Sequence, residues 1–146
     1  MTQTDLNLDI LKTLPFANYV GVEPKDARTL TLKPKQEIEN HIGTVHAAAQ
    51  FTLAETQSGL YLLSLFPEYA DEVLPLLRSS TIKYKAPANT EMKAFATVSI
   101  EAKDKFEAQY LRKGRAIITV HVDITDTAGT VTLEGDFVWY VQKRED

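Results

Sequence analysis

The residue placed best for chemistry is Glu55, a carboxylate inside the long, mostly small and apolar stretch of residues 41–66. A helix over this stretch puts Glu55 on one stripe with small and apolar residues: Ala48, Phe51, Ser58, Gly59 and Leu62. Ionised carboxylates are rarely buried unless a partner neutralises them or a reaction uses them. The pattern therefore predicts that Glu55 either pairs with a group from elsewhere or acts as a catalytic acid, base or nucleophile.

Polar and small residues cluster where this helix would begin. Residues 40–48 read Asn-His-Ile-Gly-Thr-Val-His-Ala-Ala, and His46 precedes Glu55 by nine positions. The first N–H groups of a helix are unpaired and lie at the positive end of its dipole. Donors for a developing oxyanion, together with a carboxylate that activates water or attacks directly, are the groups that hydrolysis of an acyl compound requires.

Each of these residues also has a purely structural interpretation. Glu55 could be satisfied by Ser, Thr or backbone groups of a partner chain, His46 could cap the helix, and Asn40 could form a turn. The three histidines show no ligand-like spacing, so we expect no metal site, and nothing in the sequence calls for a cofactor.

Bulk composition narrows the function classes. The chain has 146 residues, which favours a single domain over residues 1–146, and its net charge of −4 argues against nucleic acid as a partner. Zero cysteines exclude disulfides and thiolate chemistry and fit a cytoplasmic location. We expect no signal peptide and no membrane insertion, since no basic-then-apolar leader and no long apolar run occur.

Periodicity and breakers predict the order of elements. A short amphipathic helix over residues 6–14 ends at Pro15, a strand covers residues 27–32, and the central helix runs from Val45 or His46 to just before Pro67. A helical turn over residues 68–73 precedes four strands, predicted over residues 77–85, 92–102, 115–126 and 130–142. The charged segment of residues 103–114 is compatible with a helix or a loop.

Antiparallel strands that must cover one apolar helix predict an α+β fold in which a curved sheet wraps around that helix. This is the hotdog architecture. We expect a homodimer or a dimer of dimers, because the site is incomplete within one chain and residues 137–141 have the apolar character of an exposed edge strand.

Residues 40–55 carry a resemblance to a known family. Asn40, the Gly43-Thr44 pair, His46 and the acidic residue at the offset of Glu55 resemble the hotdog-fold acyl-CoA thioesterases of the phenylacetate-pathway type. The His-Gly-Gly element of those enzymes is replaced by His46-Ala47-Ala48. An uncharacterised branch of the same superfamily, with alanines at these positions, is the other assignment.

The resemblance implies roles for these residues in acyl-CoA hydrolysis at a dimer interface. Glu55 would be the general base or nucleophile, Asn40 would position water or the carbonyl, and His46 would orient the loop or assist. The substrate-binding residues would be Gly43, Thr44, Ala47 and Ala48, with the Ala48 N–H polarising the thioester. The main alternative is a non-catalytic hotdog protein that binds an acyl chain or acyl thioester, while a dehydratase ranks below both.

Overall fold

The computed structural model of the protein describes residues 4–145, and its N-terminal part is made of short elements. Two helices, α1 (Leu8–Leu11) and α2 (Pro15–Val20), precede two short strands, β1 (Glu23–Pro24) and β2 (Leu30–Leu32). The single predicted helix is thus divided. Pro15 begins α2 instead of merely ending α1, because proline suits the first helical position, where no N–H partner is needed.

The central helix α3 (Ala47–Leu65) confirms the predicted start and end. His46 caps its N-terminus, and the helix stops two residues before Pro67. Twelve of its side chains are buried, which explains why the sequence over this stretch is apolar on nearly every side.

The chain then forms a short 3-10 turn (Ala70–Glu72), the strands β3 (Val73–Tyr84) and β4 (Met92–Thr97), helix α4 (Ile100–Lys113), and strands β5 (Arg115–Thr125) and β6 (Val131–Lys143). β3 begins four residues before the predicted strand and contains Pro75. Proline is tolerated there because β3 is at the edge of the sheet, where an N–H can go unpaired.

The charged segment of residues 103–114 is helical and belongs to α4. The helix begins at Ile100, inside the stretch that was predicted to be strand up to residue 102. The Ser99 side chain accepts a hydrogen bond from the Ala102 N–H and starts the helix. Gly114, with φ of 72°, ends it in the left-handed conformation that glycine adopts readily. A local capping signal therefore overrides the alternating pattern.

All strands pair antiparallel in one six-stranded sheet of order β1-β2-β4-β5-β6-β3, and this curved sheet wraps around α3. The predicted hotdog fold is confirmed. The strand predicted to form an edge is wrong, because residues 137–141 belong to β6, which pairs with β5 on one side and β3 on the other. The edge strand in this half of the sheet is β3.

The core lies between the sheet and α3. Ile118, Val120, Val122 and Ile124 on β5 are buried, as their alternation predicts. Phe137 and Trp139 of β6 pack against the same side of α3, where a Cβ added at Gly59 would lie 3.1 Å from the Trp139 ring. Within residues 4–145, no helix is long and apolar enough to cross a membrane.

Candidate functional site

Glu55 is in the middle of α3 and is half-buried. Its carboxylate has no hydrogen bond or ion pair within the described part of the chain. Burial raises the pKa of the Glu55 carboxyl above its ordinary value, because removal of water disfavours the ionised form. Residues 4–145 therefore contain no group that pairs with the Glu55 carboxylate. A partner from another chain and a chemical role are the alternatives that this leaves.

The sheet packs against one flank of the stripe that carries Glu55. The Phe51 ring lies 5.5 Å from the Phe137 ring, and Ser58 Oγ accepts a hydrogen bond of 2.9 Å from Trp139 Nε1. Both partners are on β6, the neighbour of the edge strand β3. Glu55 is thus on the side of the helix that faces the β6–β3 half of the sheet, where the chain leaves it partly open to solvent.

The helix N-terminus is exposed at His46, Ala47 and Ala48. His46 Nδ1 accepts a hydrogen bond of 2.9 Å from the Ala48 N–H, so the histidine caps the helix and its ring proton is on Nε2. The donor predicted to polarise a substrate carbonyl is therefore occupied by His46. The Ala47 N–H, by contrast, donates to no group among residues 4–145.

Asn40 shapes the loop that leads into the helix. Its Oδ1 accepts from the Ile42 and Thr44 N–H groups, each at 3.0 Å, and its Nδ2 donates to Thr44 Oγ1 at 2.7 Å. Gly43 has φ of 79°, which a side chain would disfavour. Asn40, Gly43 and Thr44 lie together in this loop, and the Asn40 amide and the Thr44 hydroxyl are used within it.

Two cavities flank the start of α3. The first, here called the α2 groove, has a volume of about 400 Å³ between α2 and the helix and is lined by Phe16, Tyr19, Ile38, Ala48, Ala49 and Thr52, among others. The second, here called the Gln50 cavity, has about 310 Å³ and is lined by residues that include Thr44, Ala47, Gln50, Tyr84 and Lys85. Neither cavity includes Glu55 in its wall.

Glu55 and the start of α3 are about two turns apart on the helix. Ala48 and Glu55 are seven residues apart, or about 10 Å along the axis at 1.5 Å per residue. The helix start can hold an oxyanion, and Glu55 can act as a base or nucleophile. Because reacting atoms must come within about 3 Å of each other, this separation favours action on one carbonyl by groups from two copies of the chain.

Two residues near the start of α3, Tyr84 and Gln50, were not predicted from the sequence. Tyr84, at the end of β3, donates from its hydroxyl to the Ala47 carbonyl at 3.2 Å and ties the edge strand to the helix start. Gln50 lines a cavity beside the same helix turn. No sequence signal marks them, since Tyr84 fits strand alternation and Gln50 is one polar residue in a helix.

A second cluster of titratable side chains is centred on His121 and shares no residue with this site. His121 contacts Asp136 Oδ1 through Nδ1 at 2.9 Å and Asp123 Oδ1 through Nε2 at 3.1 Å. Burial acts to lower the pKa of His121, but the two carboxylates outweigh it and hold that pKa above its ordinary value. His121 is on the surface of β5. Within residues 4–145, no cluster of three or more His, Cys, Asp or Glu side chains is arranged to hold a metal ion.

Residues 17–141 match the sequence profile of a family described as a domain of unknown function, DUF4442. The chain belongs to the DUF4442 family. The family match spans most of the chain and includes the whole of α3 with Glu55. No protein of curated function matches the chain.

Solved structures similar to this DUF4442 protein share its fold. A Pseudomonas aeruginosa protein described as a probable thioesterase is 22% identical, with a TM-score of 0.78, over 98% of this chain and 100% of that one. A Haemophilus influenzae thioesterase is 15% identical, with a TM-score of 0.70, over 94% and 89%. A Bacillus halodurans protein solved with CoA is 18% identical, with a TM-score of 0.68, over 90% and 82%.

Proposed function

We propose that the protein hydrolyses an acyl thioester, most specifically an acyl-CoA, to the free acid and the thiol. The observation that carries the proposal is the Glu55 carboxylate, half-buried and without a partner in the described chain, on the same helix as a free N–H donor at Ala47. A buried, unpaired carboxylate costs stability, so its presence on an apolar helix favours a functional role.

The chemistry follows from the two ends of this arrangement. Glu55 of one copy takes a proton from water, and the resulting hydroxide adds to the carbonyl carbon of a thioester held at the α3 start of the other copy. The oxyanion that forms is held there by the Ala47 N–H and by the Ala48 N–H, once the substrate replaces His46 Nδ1 as its acceptor. Collapse of the intermediate breaks the C–S bond, and the Glu55 carboxyl returns its proton to the departing thiolate, which regenerates the carboxylate. Direct attack by Glu55 is the variant with a covalent intermediate.

The remaining residues of the predicted site support these groups. In this proposal, Asn40, Gly43 and Thr44 keep the loop in the conformation that exposes the helix start, through the hydrogen bonds described above. His46 orients the first turn. Asn40 contacts substrate only if it gives up one of its loop hydrogen bonds, so we assign it a positioning role.

The names of structurally similar proteins support the same activity. Two similar folds, from Pseudomonas aeruginosa and Haemophilus influenzae, are described as thioesterases, and a third, from Bacillus halodurans, was solved with CoA. These proteins share 15 to 22% identity with this chain, so they support a thioester substrate and leave the acyl group open.

We further propose that two copies pair along β3. This strand is twelve residues long, pairs with β6 as its one neighbouring strand within residues 4–145, and exposes Leu76 and Tyr84. A free, partly apolar edge of that length invites a second strand. Because Tyr84 contacts the start of α3, a partner on this edge would lie beside the helix start, where its own Glu55 would complete the site.

A thiol-release assay with short, medium, long and aryl acyl-CoAs tests the proposal. The expected result is turnover of at least one class at a rate that rises with pH as Glu55 ionises, with an acid limb above that of an ordinary glutamate. Tight binding of acyl-CoA without release of thiol from any class would contradict hydrolysis and would favour the non-catalytic binding protein.

A further inference from the structure

The Oε1 atom of Gln50 is buried without a hydrogen-bond partner in the described chain. Gln50 lies in the first turns of α3, is 4% exposed, and its Oε1 accepts no hydrogen bond within residues 4–145. Its Nε2 makes no hydrogen bond within that part of the chain either, but this atom is not fully buried. An unsatisfied buried acceptor destabilises the folded protein, so a site of this kind calls for a ligand or an ordered water.

A second glutamine on the same helix shows what a structural amide looks like here. Gln57 is 1% exposed, its Oε1 accepts from the Leu30 N–H at 2.9 Å, and its Nε2 donates to the Arg28 carbonyl at 3.0 Å. The two ends of that amide hold β2 and the segment that precedes it against α3. Gln50 has the same side chain and similar burial but makes no such hydrogen bonds. Gln57 is therefore the matched control for Gln50.

The space beside Gln50 suits a slender chain. The Gln50 cavity of about 310 Å³ lies between the loop that precedes α3 and the end of β3, and it borders Ala47. Its other walls are largely apolar, with Ile42, Val45, Ala86 and Pro87. Methylene groups fit such walls. Of the two amides in the lining, Asn40 is already hydrogen-bonded within its loop, so the Gln50 amide is the one that can pair with a group that both donates and accepts.

We propose that the Gln50 cavity binds the pantetheine arm of the thioester substrate, with the Gln50 amide pairing with an amide of that arm. The inference rests on the proposed hydrolysis and names the part of the substrate that this second site recognises. A pantetheine arm alternates amides with short methylene segments, which matches the unpaired Gln50 amide beside the apolar residues of this cavity. The thioester end then lies at the free Ala47 N–H, and the acyl group is directed to the other side of the helix, toward the α2 groove.

The test compares one acyl group on two thiols of equal length. N-acetylcysteamine keeps the first amide of pantetheine, whereas pentanethiol has methylenes in its place. The wild-type protein should show a kcat/KM about 3- to 10-fold higher for the N-acetylcysteamine thioester, as one net hydrogen bond allows. In Gln50→Met, which keeps the side-chain volume, this ratio should fall to about one.

Gln57→Met is the matched control. It should keep the wild-type ratio while lowering Tm by about 3–9 °C, because it leaves the Leu30 N–H and the Arg28 carbonyl unpaired. Gln50→Met should leave Tm unchanged or raise it, because it removes an unsatisfied group. A large loss of Tm in Gln50→Met, with the substrate ratio preserved, would overturn the inference.

The outcomes separate this inference from the proposed hydrolysis. Equal kcat/KM for the two thioesters in the wild type overturns the Gln50 assignment and leaves thioester hydrolysis standing. Without any hydrolysis, calorimetric binding of pantetheine that Gln50→Met weakens supports the cavity, and equal binding by both proteins overturns it. The same acyl group on CoA and on the phosphopantetheine of a carrier protein then identifies the source of the arm; failure of both to inhibit N-acetylcysteamine thioester hydrolysis also overturns it.

Discussion

Two polar side chains on α3, Glu55 and Gln50, lack partners in the described chain, whereas the other polar groups around them are satisfied. Thr52 and Thr56 donate to backbone carbonyls one turn back, and Ser58 donates to the Glu55 carbonyl while accepting from Trp139. Unsatisfied groups in such a setting reduce stability and persist where a ligand or a reaction uses them. They define the candidate site at the scale of the residue.

Glu55→Gln should stabilise the protein at neutral and alkaline pH. Because the folded state raises the pKa of Glu55, its contribution to stability is present below the unfolded pKa and is lost as pH rises through the folded one. Gln stays neutral throughout, so the variant should gain on the wild type over that window. Denaturant unfolding at about pH 4 and about pH 8 measures it.

The expected outcome is a difference near zero at the acid end and a more stable variant at the alkaline end. Glu23→Gln is a suitable control, since Glu23 is exposed on β1. A Glu55→Gln protein that is less stable than the wild type at pH 8 would show that the carboxylate has a stabilising partner.

At the residue scale, the sequence could single out Glu55 as a candidate functional carboxylate, because it is one charge in an otherwise small and apolar stripe. It could not predict that His46 occupies the Ala48 N–H or that Asn40 uses both ends of its amide in the loop. These facts depend on torsion angles over a few residues, which composition and spacing leave open. Gln50 was missed for a related reason, since only the structure distinguishes it from the satisfied Gln57.

At the scale of the secondary-structure elements, the main feature next to Glu55 is the contact of α3 with β6. Gly59 lets the Trp139 ring approach the helix, and the Trp139 indole N–H donates to Ser58 Oγ. This contact holds the flank of the helix next to Glu55. The packing between these elements therefore fixes how open the carboxylate is to solvent.

Ser58→Ala should lower the free energy of unfolding by about 1–3 kcal/mol, because it leaves the buried Trp139 N–H without an acceptor. In a Trp139→Phe background the same change should cost less, since no N–H remains to be satisfied. The two single variants and the double variant form a cycle that chemical denaturation followed by circular dichroism can measure. Additive effects would contradict an energetic role for this hydrogen bond.

Element identities were predictable where one signal acted alone. The length of α3 follows from its apolar run and Pro67, and β5 follows from strict alternation. Errors arose where two signals competed: Ser99 starts a helix inside an alternating segment, and Pro75 is accommodated in an edge strand. Which strand forms the edge depends on the crossover that carries β3 beyond β6, and sequence order does not show it.

At the scale of the whole molecule, the fold leaves β3 free for a second copy, and we predict a homodimer or a dimer of dimers in place of a 16.4 kDa monomer. Leu76→Lys, on the exposed surface of β3, should shift the protein toward the monomer, because it places a charge at the predicted contact. Light scattering at micromolar concentration gives the mass.

Ile117→Lys provides the comparison, because Ile117 is also exposed but lies on the interior strand β5. It should retain at least the dimer. A wild-type monomer at micromolar concentration would contradict the predicted assembly. If Ile117→Lys dissociates the assembly and Leu76→Lys does not, the contact between copies is on the face of the sheet and not at its edge.

The central claim is that the Glu55 carboxylate drives thioester hydrolysis, and the most direct test is thiol release by Glu55→Gln on the best acyl-CoA found for the wild type. Gln keeps the size of Glu but can neither accept a proton nor attack. We predict a fall in kcat of about 10²–10⁴-fold, with substrate affinity and fold retained, and a smaller loss for Asn40→Ala. Full activity of the Glu55→Gln protein would contradict the account.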